Sequence, residues 1–118
     1  MNGCSDSTIN LGEDYYLRIE GPRTNEIMNR KANVKGIPPA VLRYNYNDDF
    51  IVAEQKPSNH NDVMHDDGVI YSKGRDFIYY WIIVKKSKAV LGPMEKDEYE
   101  KMKNKYGVSS TFLLKDVY

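Results

Sequence analysis

The arrangement of hydrophobic and polar positions indicates a chain built mainly from short β-strands. Residues 15–20 combine tyrosines with Leu17 and Ile19 and stop at Gly21-Pro22, a composition typical of a strand followed by a turn. Residues 26–30 form a second, shorter candidate strand. Both segments precede Pro38-Pro39, a pair that disfavours helix and sets up extended chain.

The clearest pattern is a hairpin in the middle of the chain. Leu42, Tyr44 and Tyr46 alternate with polar residues over residues 41–46, and residues 50–55 supply a returning strand. Between them, the Asn-Asp-Asp sequence of residues 47–49 has turn chemistry, because Asx side chains hydrogen-bond to their own backbone. The pattern predicts two antiparallel strands joined by a short turn.

Further strands are predicted in the second half of the chain. Residues 77–84 are apolar at both odd and even positions, which suits a central strand covered on both faces, or on one face plus a partner. Residues 89–91 complete a second hairpin that closes at Gly92-Pro93. Residues 111–118 read as a last strand.

One helix is predicted, over residues 95–106. Tyr99, Met102 and Tyr106 recur at i, i+3 and i+7 and form a narrow apolar stripe. Acidic residues occupy the early turns and lysines the late ones, an order that complements the helix dipole. Gly107 predicts a Schellman end, with Val108 behind it.

These elements predict an α+β fold, in which a mostly antiparallel β-sheet of about five to six strands carries one C-terminal amphipathic helix packed on it. The length of 118 residues is that of a single domain. We therefore predict a polar lead-in or tether over residues 1–13 and one globular domain over residues 14–118.

Composition narrows the classes of function. Lys plus Arg is 17 and Asp plus Glu is 17, so the chain lacks the cationic excess from which nucleic-acid binders gain most of their affinity. The hydrophobic fraction of 41% is too high for a disordered chain. No run approaches the roughly 18 apolar residues that a membrane-spanning helix needs.

The single cysteine, Cys4, excludes an intramolecular disulfide. A catalytic thiol is disfavoured, because a nucleophile needs an ordered base and Cys4 lies near a chain end in a polar context. Gly3-Cys4, followed by polar residues 5–7, resembles the lipobox of bacterial lipoproteins. In that pattern the cysteine becomes the lipidated first residue of the mature protein. The alternative is a cytosolic protein in which Gly and Cys adjoin by chance.

A wider resemblance rests on the hairpin of residues 46–53, the strand at residues 80–83, and Leu91-Gly92-Pro93 with its following charged helix. This succession is similar to a family of small lipoproteins of unknown function, found mostly in Gram-positive bacteria. The resemblance covers residues 4–107. It implies an exported, membrane-anchored domain without an assigned activity, with Cys4 as its lipidation site.

The polar segment around His60 and His65 is a candidate metal site. Two imidazoles, with carboxylates at Asp62, Asp66 and Asp67, are suitable ligands for a divalent cation. The spacing, however, fixes no geometry on a loop, and the segment does not match the EF-hand pattern. A solvated polar loop is the favoured interpretation.

Aromatic residues on neighbouring predicted strands are candidates for a binding surface. The set is Tyr44, Tyr46, Tyr79, Tyr80 and Trp81. Tyr and Trp offer large contact area with a polar tip at low entropic cost, so these side chains could line a groove for a sugar, a peptide or a protein. The competing interpretation is that they fill the core or cover the sheet.

Together the residues predict a protein that is not an enzyme and needs no cofactor. The leading hypothesis is a membrane-tethered, extracytoplasmic lipoprotein domain that binds an unknown protein, peptide or saccharide through an exposed Tyr/Trp face. It would meet the membrane only through its lipid anchor and would bind no nucleic acid. The alternative is a cytosolic protein-interaction domain of inhibitor or immunity type. A metal-assisted enzyme built on His60 and His65 is less favoured.

Overall fold

The computed structural model describes residues 7–21, 24–57 and 68–117. Eight strands and one helix follow one another in these residues. The strands are β1 (Ser7–Gly12), β2 (Tyr15–Ile19), β3 (Glu26–Asn29), β4 (Val41–Tyr46), β5 (Phe50–Gln55), β6 (Tyr79–Val84), β7 (Ala89–Met94) and β8 (Lys115–Asp116). The helix α1 spans Lys96–Tyr106, between β7 and β8.

The strands form two antiparallel sheets. The first has the order β1-β2-β3, and the second has the order β7-β6-β5-β4-β8. The predicted α+β class, with antiparallel strands and a helix near the C-terminus, is therefore confirmed. The strand count of five to six was too low, and the strands make two sheets rather than one.

The first strand corrects the predicted lead-in. Within the segment expected to be a polar tether, Ser7–Gly12 is a strand that pairs with β2, starting at the Ser7–Ile19 pair. Leu11 is fully buried. The segment looks polar because only Ile9 and Leu11 are apolar, and its strand conformation is stabilised by pairing rather than by composition.

The main core lies between the two sheets. Leu11, Tyr15 and Leu17 reach it from the first sheet, and Ile51 and Ile83 reach it from the second. Alternate residues of a strand point to opposite faces, so Ile82 turns to the other side of β6 and joins a second core beneath α1. Strand β6 is thus covered on both faces, as its apolar sequence predicts.

The helix packs on the outer face of the second sheet through Tyr99, which is 2% exposed, and Met102. It ends in a Schellman motif. Gly107 adopts φ 76°, and the N–H of Val108 donates to the carbonyl of Lys103 at 2.8 Å. Within the described residues, no helix has the length and apolar character required to cross a bilayer.

The C-terminal segment differs from its prediction as one long strand. Lys115–Asp116 pairs with β4 as a two-residue strand, and the N–H of Val117 donates to the Leu42 carbonyl of β4 at 3.2 Å. Phe112 and Leu114 instead pack against the second core beneath α1, which we call the helix-side core. Leu113 is exposed, and its carbonyl accepts a hydrogen bond from the Asn45 side chain. The alternation of apolar residues in this segment therefore reflects packing of alternate side chains against a core, and not a full ladder of backbone hydrogen bonds.

Candidate ligand-binding cleft

Four of the five predicted aromatic residues share one face of the second sheet. Ala53 of β5 pairs with Tyr44 of β4 on one side and with Trp81 of β6 on the other. Tyr46 lies two residues after Tyr44, and Tyr79 lies two residues before Trp81. Strand β5 separates β4 from β6, so the two tyrosines of β4 are not on a strand adjacent to the one that carries Tyr79 and Trp81. The shared face is directed at the core between the sheets.

Tyr80 lies on the opposite face. It pairs with Glu54 in the register and stacks on Tyr99 of α1, with ring centroids 4.9 Å apart. Burial and the neighbouring Glu54 carboxylate raise the pKa of Tyr80. Tyr80 therefore belongs to the helix-side core and cannot share a surface with the other four residues.

Two members of the predicted surface are inside the protein. Trp81 is 3% exposed and Tyr79 is fully buried, so the prediction that they line an exposed aromatic face is wrong. The polar tips of both are satisfied internally. Trp81 Nε1 donates to Gln55 Oε1 at 2.8 Å, and the Tyr79 hydroxyl donates to the Gly74 carbonyl at 2.8 Å. These bonds hold both rings in fixed orientations.

Tyr44 and Tyr46 remain near the surface. Their rings are close to parallel, with an interplanar angle of 5° and centroids 6.4 Å apart. Tyr46 is 38% exposed, whereas Tyr44 is half-buried and burial raises the pKa of its hydroxyl. Tyr46 is thus the most accessible residue of the predicted set.

A cleft of about 420 Å³ lies between the edge of the first sheet at β3 and the edge of the second sheet at β7. Its volume falls within the range of roughly 300–1,000 Å³ that is typical of ligand pockets. The lining is largely apolar and includes Ile27, Met28, Val34, Ile37, Trp81 and Val90. Glu26, Asn29 and Lys35 add the few polar groups. The cleft is therefore a candidate ligand site.

One wall of the cleft is a short backbone pair. The N–H of Ile27 donates to the carbonyl of Ile37 at 3.0 Å, and the N–H of Ile37 donates back at 2.8 Å. Pro38 and Pro39 follow directly, and the extended chain they favour continues from this pair. The wall is therefore held by reciprocal bonds rather than by a long ladder.

The opposite wall depends on a glycine. Gly92 has φ 144°, and a Cβ placed on it would lie 2.6 Å from Cδ2 of Trp81. Only a residue without a side chain allows β7 to approach the indole so closely. The backbone of Gly92 consequently covers one face of the Trp81 ring.

The electrostatics of the cleft centre on Glu26. Burial raises the pKa of its carboxyl group, and the Arg18 guanidinium, 3.8 Å away, opposes that effect. Lys35 contributes one positive charge to the same lining. With one acid and one base, the cleft has no strong preference for a charged ligand.

A second depression, of about 540 Å³, lies at the start of α1. Five of its eight lining residues are charged, and Lys56 pairs with Asp76 across 3.0 Å. Its charged side chains at Asp76, Glu95, Lys96 and Asp97 are exposed to solvent. The inter-sheet cleft has only two charged residues, Glu26 and Lys35, in its lining.

Cys4 and the metal candidates His60, His65, Asp62 and Asp66 fall outside the described residues. In residues 7–21, 24–57 and 68–117, no group of three His, Cys, Asp or Glu side chains is placed to hold a metal ion.

Sequence reasoning did not find Val34 and Ile37 as cleft residues. The apolar residue before Pro38 was the available signal, but its pairing with Ile27 has no sequence signature.

Comparison with protein families gives a match over most of the chain. A family model described as a protein of unknown function (DUF3997) matches residues 12–118. Searches of curated proteins and of solved structures give no match. The matched segment contains every described strand except most of β1, together with α1.

Proposed function

We propose that this chain, which belongs to the DUF3997 family of proteins of unknown function, is a non-catalytic binding domain tethered by a lipid on Cys4 to the outer face of a bacterial membrane. Its ligand is a short peptide segment of a partner protein, bound in the inter-sheet cleft. The observation that carries the binding role is the mostly apolar lining of that cleft with a few polar groups at defined positions.

A peptide suits the cleft better than a saccharide does. Sugar sites use an exposed aromatic face for stacking, and the face of Trp81 next to β7 is covered by Gly92. Apolar side chains such as Val34 and Val90 favour apolar side chains of a ligand instead. The near-neutral lining, with Glu26 and Lys35 of opposite charge, suits a segment without a large net charge.

Trp81 makes the binding role measurable. It is the only tryptophan of the chain, it lines the cleft, and its indole is 3% exposed. Peptides selected from a random phage-displayed library against the immobilised protein can therefore be titrated by the emission of Trp81. We expect saturable emission changes with peptides rich in apolar residues.

Matched variants locate the binding site. Val34→Asp places a charge in the cleft and should abolish binding of the selected peptides, because burying an unpaired carboxylate is costly. Leu113→Asp changes an exposed apolar residue outside the cleft and should leave binding intact. Selection of no peptide, or equal binding to Val34→Asp, would remove the cleft from the proposal.

The tether is supported by the Gly3-Cys4 sequence and sets a geometric limit. Cys4 and Ser7 are three residues apart, and an extended chain spans at most about 3.6 Å per residue, so Ser7 would lie within about 11 Å of the lipidated residue. The start of β1 would thus be held beside the bilayer.

Metabolic labelling tests the tether separately from the cleft. The gene, with its natural upstream region, is expressed in a Gram-positive host fed an alkyne fatty acid. We expect the label on the wild-type protein in the membrane fraction, and none on Cys4→Ser. An unlabelled wild-type protein in the soluble fraction would contradict the tether and favour the cytosolic interaction domain.

A further inference from the structure

In the part of the chain that the structure describes, three of the four sheet edges carry features that hinder pairing with another strand. Strand β7 contains Pro93, which lacks an N–H, and its register is irregular. Strand β8 has only two residues, Lys115 and Asp116, both charged. The outer side of β3 is occupied by the backbone of Ile37. Short strands, charges, proline and covering segments are the usual protections of an edge.

Strand β1 carries fewer of these features, and both lie at its C-terminal end: a register irregularity between Asn10 and Gly12, and the hydrogen bond that Lys85 donates to the Leu11 carbonyl. Ser7–Gly12 is six residues long and contains no charged residue and no proline. Thr8 and Asn10 are exposed, and Ile9 is half-buried. Among the described residues, β1 pairs with β2 on one side alone, and its register is regular from Ser7 to Asn10. It is therefore the edge best suited to receive another strand.

We propose that β1 pairs antiparallel with β1 of a second copy of this chain. A two-fold axis perpendicular to the sheet would join two three-stranded sheets into one of six strands. The second copy is the occupant that the composition favours, since an uncharged strand meets itself without like-charge repulsion. The formal net charge of zero also removes long-range repulsion between copies.

Sheet geometry limits the register. A two-fold axis perpendicular to the sheet places the same face of both copies on the same side of the joined sheet. Residues opposite each other across the β1–β1 pair must therefore have side chains on the same face. Centring the pair on Ile9 satisfies this condition over most of the strand. It places Ile9 opposite Ile9 of the partner subunit, and Thr8 opposite Asn10 of the partner subunit. Two Thr8 side chains then lie on a diagonal, about 7–8 Å apart.

The expected dimer is weak. Pairing of two short strands buries much less than the roughly 1,200 Å² of a stable interface, so association should depend on concentration. Sedimentation equilibrium of the full chain, in a Cys4→Ser background that excludes disulfides, measures it from about 10 µM to about 1 mM. We expect a monomer–dimer equilibrium for this protein.

Charge substitutions at Thr8 test the interface. Thr8→Lys and Thr8→Glu should each raise the dimer dissociation constant about tenfold or more, equivalent to about 1.4 kcal/mol, because like charges face each other on the diagonal. An equimolar mixture of the two should recover dimers. Ser72→Lys, at an exposed turn in the segment between β5 and β6, should behave as the parent. Thr8 lies opposite Arg18 of β2, so a glutamate at position 8 would face a residue of opposite charge. Thr8→Glu is therefore the variant better suited to keep the native fold.

A cysteine at the two-fold axis tests the register. In the Cys4→Ser background, Ile9→Cys should form an intermolecular disulfide under mild oxidation, because Cα atoms of directly opposed strand residues are about 4.5–5.5 Å apart. Ser72→Cys should not form one. A parent that stays monomeric at every concentration, or dimers unaffected by Thr8→Lys and Thr8→Glu, would overturn the proposal.

Discussion

The ammonium group of Lys85 donates a hydrogen bond to the backbone carbonyl of Leu11, joining the end of β6 to the first strand of the other sheet. A second bond from the same Nζ reaches the carbonyl of Asn47 in the β4–β5 turn. Lys85 is 3% exposed, and burial lowers its pKa against the opposing effect of nearby carboxylates. One side chain thus connects the two sheets and a turn.

Replacement of this lysine should weaken the contact between the sheets. Lys85→Met leaves the carbonyls of Leu11 and Asn47 without their donor, and relief of lysine desolvation offsets part of that loss. We expect the free energy of unfolding to fall by about 1–3 kcal/mol in urea denaturation. Lys86→Met, at the exposed neighbouring position, should change it by less than about 0.5 kcal/mol. Equal stability of the two variants would contradict the role of Lys85.

A methyl group at Gly92 should disturb the cleft. Gly92→Ala places a Cβ 2.6 Å from the Trp81 ring, so we expect a loss of about 1–3 kcal/mol from overpacking and a shift in Trp81 emission. Gly74→Ala is the control, because Gly74 also has positive φ but no atom within 4 Å of its Cβ position. Gly74→Ala should be destabilised only by the strain of a residue with a side chain at positive φ, and the emission of Trp81 should not change. An unaltered Trp81 spectrum in Gly92→Ala would refute the close contact.

The ion pair of Arg43 and Glu54 offers a double-mutant cycle. Nε and one terminal nitrogen of Arg43 donate to the two oxygens of Glu54, at 3.1 and 2.5 Å. The Glu54 side chain is only 9% exposed, so Arg43→Met leaves a nearly buried carboxylate without its main partner. We expect a loss of about 1–3 kcal/mol, the lower part of this range being favoured by the 41% exposure of Arg43.

Neutralising the acid should recover part of that loss. In the Arg43→Met background, Glu54→Gln replaces the charge with an amide that needs less solvation, so the double variant should be more stable than Arg43→Met alone. Chemical denaturation of the four proteins gives the coupling energy. Strict additivity of the two substitutions would show that the side chains do not interact.

Tyr99 should govern part of the alkaline stability. Burial raises the pKa of its hydroxyl, which has no hydrogen-bond partner among the described residues. Below about pH 10 the group is protonated in both states. Above that pH the unfolded chain loses the proton while the native protein keeps it, so the stability falls as pH rises. Tyr99→Phe should therefore be at least as stable at pH 7 and lose less stability above about pH 10, by up to about 1.4 kcal/mol per pH unit.

Thermal unfolding between neutral and alkaline pH measures this effect. Tyr106→Phe removes a hydroxyl from the exposed end of the same helix, where Tyr106 is 39% exposed, and serves as the control. A steep alkaline loss that is identical in the parent and in Tyr99→Phe would exclude Tyr99 as its source.

Where a signal is local, the sequence alone was sufficient. The hairpin strands were predicted over residues 41–46 and 50–55, the bounds that β4 and β5 have, and Asn47 Oδ1 accepts the N–H groups of Asp49 and Phe50 in the turn. The helix and its end at Gly107 were likewise predicted. Strand periodicity, Asx turns and helix termination depend on residues only a few positions apart, so each can be recognised within a short window.

The tertiary structure alone decided the remainder. Pairing with β2 makes a strand of the polar segment Ser7–Gly12, and stacking of the sheets buries Trp81 that the sequence placed on a surface. The pairing of Ile27 with Ile37 forms a wall of the cleft. These outcomes depend on contacts between segments brought together by the fold. An apolar strand has the same composition whether its face meets solvent, a ligand or another sheet, and only the packed structure distinguishes these cases.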